Sequence, residues 1–356
     1  MITTLTISNF RGLKGLSISP IRQINLIAGA NNTGKTGILE ALFLLFTTTR
    51  GLSPIQTLPG IFRSNLTGPP INTSQDDYTT FWESLFYDRN TSLKPKIIAL
   101  DQTGDSLSCR LASANDGIQI IEERISGDQQ TTSTHAQQST PPQPPALPFT
   151  WLVNQNGQVG VVKPNPSAQE LIILSTRQDH PTQDADLFNQ VSLLEGREER
   201  LMTLLMQIDP RLQKLRYAKA PRMSQALVYA HFLGMTNAIS MTQTGQGFSK
   251  LFSLFCRMLL SNAKIVFIDE IENGLYYETL PQIWKGIATL AASENIQVFA
   301  TTHSQECIVA AHETMKTMPK YDFALHRIQR VKGEIEAVTH DEQMLDAAIK
   351  SGLEVR

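Results

Sequence analysis

Cysteine is scarce. The 356 residues hold three, Cys109, Cys256 and Cys307, odd in number and far apart. That spacing argues against a disulfide framework or a zinc cluster and suits a reducing compartment. Long apolar runs are missing too: the longest, Ala41 to Phe46, is too short to span a bilayer. Met1 leads straight into alternating sequence without a charged-then-apolar leader, so no signal peptide is expected. The expectation is a cytoplasmic protein with no membrane partner. No block of like charge stands out and the formal charge is -2, so bulk electrostatics neither demand nor exclude nucleic acid. Internal repeats and sustained heptads are absent, which excludes a long coiled coil. What is present is an apolar content of 41%, ample for a core, on a length that suits one large domain or two small ones.

The richest stretch is Ile24 to Phe46. The apolar run Ile24 to Ile27 predicts a short buried strand. Ile38, Leu39, Leu42, Phe43 and Phe46 recur at helical spacing. Between them lies Gly29-Ala30-Asn31-Asn32-Thr33-Gly34-Lys35-Thr36-Gly37, which fits the phosphate-binding pattern G-x-x-x-x-G-K-[ST]. The glycines let successive N–H groups face one concavity, and the following helix adds its positive dipole end. Lys35 supplies a charge for β- and γ-phosphates, and Thr36 a hydroxyl for Mg²⁺. The alternative, a chance match in a glycine loop, is weakened by the strand before and the helix after.

Around this core the chain reads as alternating elements. Ile2, Leu5 and Ile7 predict a first strand and Leu16 to Ile18 another, with a turn at Asn9 to Leu13. Thr47 to Tyr78 reads as loop, and Phe81 to Tyr87 as a short helix. Ile97 to Leu100, Leu107 to Leu111 and Ile118 to Ile125 predict an antiparallel meander. Gly127 to Pro148, rich in Gln, Thr, Ser and Pro, reads as a linker. A hairpin around Asn156-Gly157 and a strand at Leu171 to Leu174 follow. Leu187 to Ile208 carries a helical stripe with Gly196 as a break, and Leu227 to Phe232 reads as a strand. Phe248 to Leu259 is an amphipathic helix, with Cys256 a small core residue. Lys264 to Ile268 and Gln297 to Thr301 are buried-strand patterns, with helices at Leu280 to Ala292 and Glu306 to Thr314. A hairpin around Gly333 and a helix near Asp341 to Lys350 close the chain. The expected organisation is a first lobe over 1–126, a linker over 127–150, a β-hairpin and helical insertion over 151–240, and a second lobe over 241–356.

A phosphate loop needs an acidic strand end. Ile265 to Ile268 runs into Asp269 and Glu270. Asp269 would hold Mg²⁺ with Thr36, and Glu270 would orient the attacking water. One strand later, His303 follows Phe299 to Thr302. A histidine there can sense a γ-phosphate by hydrogen bonding, or can be a plain capping or core residue.

This order resembles the ABC-type ATPases: phosphate loop, distant Asp-Glu strand, then Thr-His-Ser. Asn9-Phe10-Arg11-Gly12 resembles the SMC and RecF branch, which implies Arg11 close to the nucleotide. Ile268 to Leu275 followed by Tyr276-Tyr277 is similar to single-chain AAA/ABC-like ATPases related to the ATPase half of OLD-family nucleases. The implied fold is α/β, a P-loop NTPase of ABC type with a β-rich first lobe and a helical insertion. The implied cofactors are ATP and Mg²⁺, and the implied assembly is an ATP-dependent homodimer. In such a dimer Thr244-Gly245-Gln246-Gly247 occupies the signature-loop slot and contacts the other copy's nucleotide; the alternative is a plain glycine turn before a helix. Glu272-Asn273-Gly274 would cross the dimer. The glutamine loop finds no clear match, although Gln56 lies in the region.

Three functions stay open. The first is a nucleotide-switched dimer that regulates a separate effector protein, such as a nuclease, with phage defence as a setting by analogy. A nuclease domain of the TOPRIM type is not expected within these residues, and Asp184-Ala185-Asp186 reads as a solvated helix start. The second is a RecF-like repair ATPase binding duplex DNA. Arg197, Arg200, Arg211, Lys214, Arg216, Lys219 and Arg222 form a basic stretch, read as helical and partly balanced by Glu195, Glu198 and Glu199. The third is a nucleotide-binding scaffold with little turnover, against which the Asp269-Glu270 pair argues.

Overall fold

This computed structural model describes residues 1–47, 83–114, 117–125, 149–154, 159–161, 170–174, 181–219, 225–260 and 263–356. Most of the expected loop at Thr47 to Tyr78, Gln56, nearly all of the 127–150 linker and the Asn156-Gly157 turn lie outside them. The chain divides into two compact units, Met1–Gln169 with Ala324–Asp341, and Glu170–Phe323 with Glu342–Arg356.

The first unit opens with β1 (Ile2–Phe10), β2 (Leu13–Ile18) and β3 (Ile24–Ala28). The helix α1 (Lys35–Thr47) follows, and then β4 (Lys96–Asp101), β5 (Ser106–Ala114), β6 (Gly117–Ile125), β7 (Phe149–Asn154) and β8 (Val159–Val161). Seven of these strands form a sheet in the order β2-β1-β4-β5-β6-β7-β8, antiparallel throughout. The meander read from the turn residues is therefore present. Ile2, Leu5, Ile7 and Phe10 of β1 are buried, as are Ile97 and Ala99 of β4 and Cys109 and Leu111 of β5. The apolar side chains thus recur along each strand, as a half-covered sheet requires. All five residues of β3 are buried, and α1 is buried without a break from Gly37 to Phe46, so strand and helix are both interior elements. Phe86 bridges Phe10 and Tyr87–Arg89 is a 3₁₀ turn, so the described part of the Phe81-to-Tyr87 segment is mostly turn and bridge. Phe86 is held by its bridge to Phe10, not by a helical period.

The second unit begins with β9 (Glu170–Leu174), α2 (Pro181–Ser192) and α3 (Arg197–Ile208). Gly196, in the left-handed region, separates the two helices where the single stripe allowed a break. Then come β10 (Leu212–Ala218), β11 (Leu227–Phe232), β12 (Ile239–Ser240) and α4 (Gln246–Leu260). The strands β10-β11-β12 form an antiparallel sheet. Lys214 and Arg216 therefore lie on a strand, which corrects the helical reading for that part of the basic stretch; Arg197 and Arg200 do lie on α3, and Arg222 is outside the described residues. Asp184 is also corrected. It is 8% exposed, accepts a 2.6 Å bond from Ser253 of α4 and lies 3.7 Å from Arg257, so it is a packed group on a helix and not a solvated start.

β13 (Ala263–Ile268), α5 (Leu280–Ser293), β14 (Gln297–Thr302) and α6 (Gln305–Lys316) complete the α/β core of this unit. β13 pairs in parallel with β14 on one side and β9 on the other. Phe252, Phe255, Phe267 and Trp284 are fully buried around them, and Cys256 sits among them as a small core residue. The chain then returns to the first unit as β15 (Phe323–Val331) and β16 (Glu334–His340), an antiparallel hairpin in the order β16-β15-β3. It ends with α7 (Glu342–Lys350) in the second unit. Among the described residues no helix is long and apolar enough to cross a membrane.

Candidate nucleotide site

In the first unit, β3 delivers the chain to Gly29 and α1 takes it up at Lys35. Gly29 has φ +153°, and a Cβ there would lie 2.4 Å from the carbonyl oxygen of Ile328, so only glycine fits. Ala30, Asn31 and Asn32 are exposed, with Asn32 at φ +65°. Thr33 turns its hydroxyl inward to the Ala30 carbonyl at 2.8 Å, and Gly34 accepts the Ile38 N–H at 3.0 Å, opening the helix. Lys35 folds its ammonium over the loop onto the carbonyls of Gly29, 2.7 Å, and Ala30, 2.9 Å. A cation held at an exposed backbone turn at a helix N-terminus suits a phosphate.

Arg11, at φ +54°, is 7% exposed. Its Nε and Nη2 donate to the two oxygens of Glu40 on α1, at 2.8 and 3.2 Å, and Nη1 donates to Ser84. Glu40 is completely buried. A Cβ on Gly37 would stand 3.9 Å from the Cβ of Arg11. Arg11 thus lies beside the start of α1 and is tied to the helix through Glu40.

In the second unit, β13 ends at Ile268 and the next two residues are the expected acids. The Thr301 hydroxyl donates to Asp269 Oδ1 at 2.6 Å and accepts the Glu270 N–H at 2.8 Å. Glu270 has φ +46°, an uncommon left-handed backbone for a residue with a side chain, stored at the strand end. Its carbonyl accepts from Lys250 of α4 at 3.1 Å and from the Asn273 N–H at 3.0 Å. Burial pushes the Lys250 ammonium below its ordinary pKa, while Glu272, Asp269 and Glu270 pull it back up. Nothing in the sequence announces Lys250, because a single lysine on an amphipathic helix reads as solvated.

His303 is exposed just past β14. Its backbone N–H and Nδ1 both meet Glu272 Oε1, at 2.8 and 2.9 Å. Ser304 caps α6 by accepting the Cys307 N–H at 3.0 Å. Cys307 itself is buried, its thiol pushed up to about 12 by desolvation, so it is no nucleophile.

The glycine turn differs in detail from its expected form. Thr244 points its hydroxyl at the Met241 carbonyl, 2.7 Å away, and α4 begins at Gln246. Gln246 and Gly247 therefore belong to the helix, with only Thr244 and Gly245 before it. A Cβ on Gly247 would fall 2.3 Å from the carbonyl oxygen of Gly274, so this helix touches the loop after Glu270 backbone to backbone.

Thr36 in the first unit offers a hydroxyl oxygen and Asp269 in the second a carboxylate oxygen, each a donor type that a hard divalent cation such as Mg²⁺ takes. Asp269 is already oriented by the Thr301 hydroxyl. The chemistry of each group taken by itself suits ATP with Mg²⁺, which would neutralise phosphate charge when bound.

Comparison with known proteins agrees. Residues 1–138 match a family model described as "AAA ATPase domain", and residues 161–308 one described as "AAA domain, putative AbiEii toxin, Type IV TA system". The chain is 24% identical over 359 residues to an ATP/GTP phosphatase of Helicobacter pylori, covering 91% of this chain and 90% of that protein. It is 45% identical over 60 residues to the DNA replication and repair protein RecF of Nitrosococcus oceani, covering 15% of this chain and 16% of that one. An SMC head solved with the C-terminal winged-helix domain of ScpA superposes with a TM-score of 0.52 at 13% identity, covering 96% of this chain and 98% of the other. That likeness defines the fold, an α/β P-loop ATPase head. The motifs, the two AAA-type family matches and the fold together support an ABC/AAA-like ATPase of the SMC–RecF branch.

Proposed function

We propose that this chain hydrolyses ATP with Mg²⁺ and works as a nucleotide-switched homodimer controlling a separate effector protein. The observation that carries the reading is the end of β13, where Thr301 orients Asp269 and Glu270 is held in a left-handed turn. An ordinary solvated strand end has no need of that clamp. Gly29 and the N–H groups from Asn31 to Gly37 cradle the phosphates, with Arg11 beside them. Lys35 neutralises the β- and γ-phosphates. Thr36 and Asp269 hold Mg²⁺, Glu270 positions the water and His303 meets the γ-phosphate. Thr244 to Gly247 of a second copy closes the site. A cytoplasmic setting is supported by three buried free cysteines. An effector such as a nuclease, in phage defence, is supported by the toxin-type family description of residues 161–308 and by the OLD-like motif around Asp269.

Two variants test this. Lys35→Ala should weaken ATP binding about 100-fold or more, the weight of a charge clamp on phosphate. Glu270→Gln should bind ATP, lose turnover and sediment as a dimer. Hydrolysis at the wild-type rate in Glu270→Gln would remove the catalytic assignment. The same protein in ATP, used as bait, identifies the effector.

A second reading, direct binding of duplex DNA, is favoured by one feature. Exposed Lys214 stands opposite His231, and exposed Arg216 opposite Tyr229, on the β10–β11 ladder. Affinity that falls steeply with salt, and less steeply in Lys214→Ala/Arg216→Ala, supports it; salt-independent binding excludes it.

A further inference from the structure

Glu272 lies two residues beyond Glu270, in a stretch expected to face a second copy of the chain. The structure turns its carboxylate inward: the side chain is 12% exposed. One oxygen, Oε1, accepts the backbone N–H of His303 at 2.8 Å and lies 2.9 Å from Nδ1 of the same residue. The other, Oε2, is buried with no hydrogen-bond partner. The turn that presents Glu272 is closed by the Leu275 N–H on its carbonyl at 3.0 Å. Lys250 on α4 feels its charge together with those of Asp269 and Glu270 at the end of β13, and Cys307 of α6 also lies within its field.

We propose that Glu272 is the positioning residue for His303: it holds the ring proton on Nδ1 and leaves Nε2 for the nucleotide. A neutral imidazole carries one N–H, and the partner of one nitrogen decides the role of the other. A carboxylate accepting from Nδ1–H makes Nε2 a lone-pair acceptor, suited to a water. When the ring takes a second proton, Nε2 becomes a donor suited to a phosphate oxygen, and Glu272 is the counter-charge. The bond from the backbone N–H to the same oxygen fixes the carboxylate beside the ring, so the imidazole turns away only by giving up its own approach to Oε1. His303 is half exposed, and no described residue bonds its Nε2. Retaining a buried carboxylate with one bare oxygen is costly, which is the mark of a placed group. The kinetic part of this inference rests on the ATPase reading.

The test is a double-mutant cycle combined with ¹⁵N spectra of the histidine rings. His303→Ala should lower kcat about 100-fold, at the low end of the range for positioned proton-handling groups, with KM for ATP little changed. Glu272→Ala should lower kcat equally, and the double variant no further. Glu272→Gln keeps an oxygen that accepts both bonds and should recover most of the rate. Additive losses, a loss confined to KM, or a Gln variant as slow as the Ala variant overturn the proposal. In the spectra, wild-type His303 should be protonated at Nδ1 and bare at Nε2 when neutral, and Glu272→Ala should shift the proton to Nε2. This readout needs no turnover. A wild-type chain with the Nδ1–H form and no hydrolysis sinks the ATPase reading and leaves Glu272 in its role. Hydrolysis with an Nε2–H ring in wild type sinks the role of Glu272, even where the Ala variant fails to fold.

Discussion

Lys250 donates to the backbone carbonyl of Glu270 over 3.1 Å, so the helix after the glycine turn holds the main chain of the proposed water-positioning acid. Glu270 needs such a hold because its backbone sits at φ +46°. Lys250→Met fills the same space without the donor. Its turnover should fall about tenfold, the scale of one lost hydrogen bond to a charged group, while ATP affinity holds. Lys250→Arg should recover part of the rate. Parallel calorimetry and steady-state hydrolysis decide; unchanged turnover in Lys250→Met contradicts the assignment.

Gly247 faces the Gly274 carbonyl with no room for a methyl group. Gly247→Ala must push apart α4 and the 272–275 loop, an overpacking cost of about 1–3 kcal/mol. Gly245→Ala meets no neighbouring atom, although its φ of +95° adds local strain. Thermal melts of both variants check the contrast: Gly247→Ala should lose more through packing, with a changed signal from Tyr276 and Tyr277.

Arg11 and Glu40 form a buried ion pair beneath the phosphate loop. Arg11→Ala removes the guanidinium bonded to both oxygens of the buried Glu40 and should cost about 3–5 kcal/mol of stability. Replacing both, as in Arg11→Met with Glu40→Leu, should recover much of it, because no bare charge is left. Urea unfolding of the three variants measures this, and equal losses in the single and double variants would count against the pair.

His326 is buried between Asn25 of β3 and Thr339 of β16, its Nε2 3.2 Å from Asn25 Oδ1 and its Nδ1 3.0 Å from the Thr339 hydroxyl. Burial lowers its pKa to about 3, with the nearby His340 adding to the effect. The unfolded chain binds this proton near pH 6.5 and the folded chain does not, so between about pH 6.5 and 3 the unfolded state carries more protons. Stability present above pH 6.5 is thus lost as pH falls, by at most about 1.4 kcal/mol per pH unit for this one group. His326→Gln should be less stable at pH 7 and show a shallower acid slope. A slope equal to wild type, measured by urea unfolding across pH, contradicts the linkage.

The parts of the site carried by contiguous residues are legible in the sequence. The phosphate loop, the Asp269-Glu270 strand end and His303 each sit on an apolar run followed by a polar or glycine break, and that pattern is local. The meander is legible for the same reason. Lys250 and Glu272 are not, because each gains its role from a partner distant along the chain. On its own, Lys250 is one polar residue of a helix and Glu272 one acid in an acidic loop. Lys214 and Arg216 mislead in the opposite direction. Their charges stand out, while the alternation of Leu212, Leu215 and Tyr217 that marks a strand is blurred by a register shift between Leu212 and Lys214. Asp184 reads as wet because a helix-start aspartate usually is, and nothing nearby in sequence announces Ser253 and Arg257.

Gly29 leans on the carbonyl of Ile328, and Asn25 of the strand before it is bonded to His326. The brace of the phosphate loop is therefore made of residues that leave the ribosome long after the loop itself. A growing chain carries the whole nucleotide motif well before it carries the hairpin behind it. The packed shape of the loop therefore depends on β15, a strand made long after the loop itself.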